Sequence, residues 1–107
     1  MERTITIDCG RDCTAADIAR KLKSVSGYRE KSMNTDHAVV KVGSEFMARM
    51  IGVYITTNYT APVKIAINRN GSQAHVTMMP TYKVAYAFPK FERFFEDEFT
   101  RIEALLK

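Results

Sequence analysis

The stretch VKIAINRNGSQAHVTMM, residues 63–79, comes close to dictating its own geometry. Asn70-Gly71 is the strongest short hairpin signal a sequence offers, because a type I′ turn needs positive φ at both central residues. With those two at the turn, Ile67 faces Ala74, Ile65 faces Val76 and Val63 faces Met78 on one side of the ladder. The other side collects Asn68 with Gln73, Ala66 with His75 and Lys64 with Thr77. One face is therefore apolar and suited to a core, and the other is mostly polar. A slip by one residue would mix the two, so the register is well specified.

Upstream, residues 4–9 alternate, with Ile5, Ile7 and Cys9 on one side and Thr4, Thr6 and Asp8 on the other, which predicts a half-buried strand. Thr14 followed by Asp17 is a variant capping box. It opens a helix whose apolar positions Ala15, Ile18, Leu22 and Val25 follow the 3.6-residue period, and Gly27 is placed to end it. Residues 28–36 are polar without a period and are expected to form a loop, and residues 37–42 a strand. Residues 44–57 suit either a helix capped by Ser44 or a strand; the β-branched run from Ile51 favours a strand with a bulge at Gly52.

Downstream, residues 81–88 read as an edge strand or a loop. Pro89 then stands where proline is tolerated, in the first turn of a helix. Phe91, Phe94, Phe95, Phe99, Ile102, Leu105 and Leu106 recur at helical spacing, giving this terminal helix an apolar face that matches the hairpin's. The order β-α-β-β-β-β-(β)-α predicts an α+β domain: a four- or five-stranded antiparallel sheet covered on one face by two helices. A long helix over a meander is similar, in element order alone, to the helix-grip arrangement of START-like and pollen-allergen-like domains. The chain is shorter than those and carries none of their motifs.

With 107 residues, 46% hydrophobic and 26% charged, the chain is long enough for one self-sufficient core. The opening MERTITID lacks the apolar run of a signal peptide, and no segment approaches a membrane span, so a cytoplasmic protein is expected. The net charge is +4, and its distribution is uneven. Residues 1–36 hold seven basic and six acidic side chains, residues 37–86 five and one, and residues 87–107 four and five.

No P-loop, GxGxxG or GxSxG occurs, and no catalytic residue, cofactor or metal is assigned. Cys9 and Cys13 make a lone C-x3-C, which suits a redox pair or half a metal site but equally a core cysteine and a loop thiol. His75, on the polar side of the hairpin, has no carboxylate or nucleophile beside it in sequence and is read as an exposed strand residue. Two binding surfaces remain. Met50, Tyr54, Met78, Phe91 and Phe95 would lie near the sheet–helix interface, where thioethers and rings can line a pocket for an apolar or amphipathic ligand, or simply fill the core. Arg20, Lys21, Lys23, Arg29 and Lys31, with Tyr28 among them, form a basic run able to grip nucleic acid or an acidic protein. Apolar surface left over at Met79, Tyr82, Tyr86 and Phe88 suits a homodimer. The resulting expectation is a non-enzymatic binding or accessory domain holding an apolar ligand, with the basic interaction module as the alternative.

Overall fold

The structure, a computed structural model, describes residues 2–10, 13–25, 27–43, 62–81 and 89–106; in the last stretch, side chains are described at 93 and from 95 onward. The elements are β1 (Arg3–Asp8), α1 (Ala15–Arg20), β2 (Arg29–Met33), β3 (His37–Val42), β4 (Val63–Asn70), β5 (Gln73–Pro80) and α2 (Pro89–Leu106). The strands form one antiparallel sheet in the order β1-β5-β4-β3-β2. Both helices contribute to a single apolar cluster on one side of it, α1 against β3 and β4 and α2 against β1. The α+β architecture predicted from element order is the observed one.

The hairpin keeps its predicted faces but turns in a different place. Asn70 pairs with Gln73, which leaves Gly71-Ser72, rather than Asn70-Gly71, at the turn. Gly71 has φ of 66°, and among the described residues only glycines have positive φ. That is the pattern of a type II′ turn, whose single positive φ falls on a leading glycine. A type I′ turn would force Asn70 there as well, at the steric cost any Cβ brings. The Ser72 carbonyl then accepts from Cys9 N at 2.7 Å and Gly10 N at 3.1 Å, joining the turn to the end of β1. Ile67 consequently faces Val76, Ile65 faces Met78 and Val63 faces Pro80. The strands have slid by two residues from the expected pairing, and a period of two returns every side chain to its own face.

The loop expected at residues 28–36 is also corrected, because β2 occupies most of it. Its sequence REKSM shows no alternation for two reasons: β2 is the edge of the sheet, and a bulge between Glu30 and Ser32 interrupts its pairing with β3. Such a charged, bulged edge also resists pairing with foreign strands. The strand-or-helix question over residues 44–57 and the segment 82–88 lie outside the described residues.

α1 opens with the expected capping box, in which Asp17 N donates to Thr14 Oγ1 at 3.0 Å. Ala15, Ile18 and Leu22 are buried and Val25 packs against the cluster. Gly27 then takes φ of 79°, and a Cβ there would come within 2.6 Å of the Gly43 carbonyl oxygen, so glycine is needed twice over.

α2 buries Phe95, Phe99, Ile102 and Leu106, which share one face at the helical period. Each such burial contributes roughly 1.5–3 kcal/mol. Arg3 at the start of β1 fixes the helix from the side: its guanidinium lies 2.7 Å from Glu96, 3.3 Å from Glu103 and 5.8 Å from the Phe99 ring centre. No described helix is long and apolar enough to cross a membrane.

Candidate functional site

Pairing in the sheet sorts the side chains opposite the helices into four transverse rows, the last of which, Asp8, Gln73 and Asn70, lies beside the β4–β5 turn and carries one acid. Toward one end, Arg29 pairs with Lys41 and Lys41 with Lys64, so three cations stand side by side on β2, β3 and β4. Strands lie about 4.8 Å apart, which puts these charges on a line roughly 10 Å long. Arg29 is exposed and donates to the Gly43 carbonyl at 2.9 Å; Lys41 and Lys64 are partly exposed. Among the described residues, none of the three has a carboxylate partner. Like charges directly opposite one another destabilise a sheet. Glu2, the nearest acid in register, precedes β1 on the far side of β5 and makes no ion pair with them.

The next row along the strands is small and flat: Thr4, Thr77, Ala66, Val39 and Ser32 follow one another in register across all five strands. The third row is Thr6, His75, Asn68 and His37. His75 Nδ1 shares a hydrogen bond with Thr6 Oγ1 at 3.2 Å. His37 Nδ1 lies 2.6 Å from Asn68 Oδ1. The contact holds the His37 ring against the Asn68 amide. Both exposed rings are thus held in place by neighbours in their own row.

The sequence-predicted residues are dispersed by this arrangement. Of the five basic residues proposed as one patch, Arg20 pairs with Asp17 at 3.2 Å and Lys21 donates to the Leu106 carbonyl at 3.4 Å. Arg20 ends α1 and Lys21 and the exposed Lys23 follow it on the covered side, whereas Arg29 belongs to the opposite face and the exposed Lys31 to the β2 bulge. Tyr28 is engaged rather than offered: it packs against the core and donates to Glu30 at 2.9 Å. Burial first, then Glu30, pushes its hydroxyl pKa up to about 12, against a smaller opposing pull from Arg20. Of the pocket residues, Met78 and Phe95 are 0% and 1% exposed inside the apolar cluster. Met50, Tyr54 and the Phe91 side chain lie outside the described residues, as do Tyr82, Tyr86 and Phe88; Met79 is partly exposed beside Lys64.

Two groups were not singled out from sequence in the form they take. Cys9 and Cys13 are joined in a disulfide that ties the end of β1 to the approach of α1, with 5.6 Å between their Cα atoms. Such bonds persist mainly in oxidising compartments, so the cytoplasmic expectation gains nothing from it. Glu98 is only 4% exposed, on α2; Oε2 is paired to Arg101 and, among the described residues, Oε1 has no hydrogen-bond partner. Burial raises its pKa and Arg101 opposes the rise. No cluster of three or more metal-ligating side chains occurs among the described residues. Compared with known proteins, the chain matches no family model, no curated protein and no solved structure.

Proposed function

We propose that the chain is a small non-enzymatic binding module that holds a polyanion against the open face of its sheet. The observation that carries this reading is the row Arg29, Lys41, Lys64, adjacent in register and without carboxylate partners among the described residues. Three neighbouring cations work against folding, and a local violation of that kind is typical of a surface kept for a partner. The reading retains the interaction module expected from composition but moves it from residues 20–31 to the sheet. Binding rather than catalysis is favoured because His75 has a hydroxyl neighbour and, among the described residues, no carboxylate hydrogen-bonded to it that would orient it as a base. An apolar ligand beneath α2 has less support, since Met78 and Phe95 are enclosed by core neighbours.

Inorganic polyphosphate is a suitable probe because it offers charge and no other recognition feature. Amide NMR shifts on titration are expected to concentrate at Arg29, Lys41 and Lys64 and to vanish as salt is raised. Shifts centred on Arg20, Lys21 and Lys23, or none that saturate, would remove the reading.

A further inference from the structure

The open face has more on it than charge. Resting on the polyanion reading, we infer that the partner is a single-stranded nucleic acid, with phosphates on the Arg29–Lys41–Lys64 row and bases against the His37–Asn68–His75 row. Four residues separate Lys41 from His37 along β3 and Lys64 from Asn68 along β4, so the two rows lie roughly 13 Å apart at about 3.3 Å per residue. Between them the side chains of Ala66, Val39 and Thr77 make a floor low enough for a planar ring to lie on. Imidazole rings stack on nucleobases, and an amide such as Asn68 hydrogen-bonds their edges. Thr6 fixes one ring and Asn68 the other, so little side-chain freedom is lost on stacking.

The same geometry disfavours a duplex and an acidic protein. Five strands span roughly 19 Å, too broad to enter a major groove about 12 Å wide. In a duplex the base faces are also stacked on one another. An acidic peptide would answer the cations and leave the imidazole row without a role.

Fluorescence anisotropy with labelled oligothymidine tests this, with the same oligomer annealed to oligoadenine, polyphosphate and polyglutamate as competitors. Oligothymidine is expected to bind at least tenfold more tightly than each of the three. Its log affinity should fall with log salt at a slope of about −2, for three cations at roughly −0.7 each. His37→Ala combined with His75→Ala should weaken oligothymidine binding about tenfold and leave polyphosphate binding unchanged. Equal affinity for the four probes, preference for the duplex or for polyglutamate, or an unaffected histidine variant overturns the inference while the polyanion reading stands. Failure of every probe to bind removes both.

Discussion

The two faces of the sheet obey different rules. On the covered face, Ile7, Ala38, Val40, Val42, Val63, Ile65, Ile67, Ala74, Val76 and Met78 are all buried, and its two arginines are matched, Arg3 by Glu96 and Glu103 and Arg69 by Asp36 at 3.9 Å. On the open face three cations stand together without such a match among the described residues, and two histidines are held in fixed positions four residues further along the strands. The difference teaches where each pressure acts. Burial decides the first face residue by residue, while the second keeps an arrangement that stability alone would not select.

The largest effect should come from breaking the covered face. Phe99→Ala removes a fully buried ring that packs 6.4 Å from Phe95 and lies under Arg3, and it is expected to cost about 3–5 kcal/mol in urea unfolding. A loss below about 1 kcal/mol would mean that α2 does not close this core.

A smaller effect sharpens the comparison, because it concerns a place where the helix side departs from its own rule. Glu98 is buried with one oxygen that has no partner among the described residues, and burial raises its pKa against the pull of Arg101. A carboxyl raised in the folded state stabilises below its unfolded value, about 4.3, and that stability is lost as pH rises through the folded value. Glu98→Met, similar in size and helix preference, should therefore gain about 1 kcal/mol at pH 7. The gain should shrink toward pH 4, where Glu98 is protonated. Thermal melts across that range check both the gain and its pH dependence; a gain that grows on acidification contradicts the assignment.

How much of this was legible in the sequence follows the same division. The faces of β4 and β5 were readable because a period of two survives a slide of two residues, and that slide is the error a reading from Asn70-Gly71 makes. Asn70-Gly71 and Gly71-Ser72 are both hairpin dipeptides, and the strand pairing with the positive φ at Gly71 decides between them. The terminal helix was readable from its phenylalanines. β2 was not, because a charged edge strand interrupted by a bulge has no burial pattern to show. The cationic row was not readable either: Arg29, Lys41 and Lys64 are distant in sequence and meet only through the strand order. Proximity in sequence favoured Arg20, Lys21 and Lys23 instead, which the fold assigns to the helix side. The disulfide depends on the spatial approach of Cys9 to Cys13, which spacing alone left open.

The smallest stability effect is expected on the open face, and it supplies the most direct test. In the triple variant Arg29→Gln, Lys41→Gln, Lys64→Gln, urea unfolding and polyphosphate affinity are measured side by side at low salt. Stability should stay within about 0.5 kcal/mol of the parent or rise slightly as repulsion is relieved, while polyphosphate binding is lost. A variant that unfolds by several kcal/mol, or one that binds polyphosphate as the parent does, would contradict the separation of the two faces.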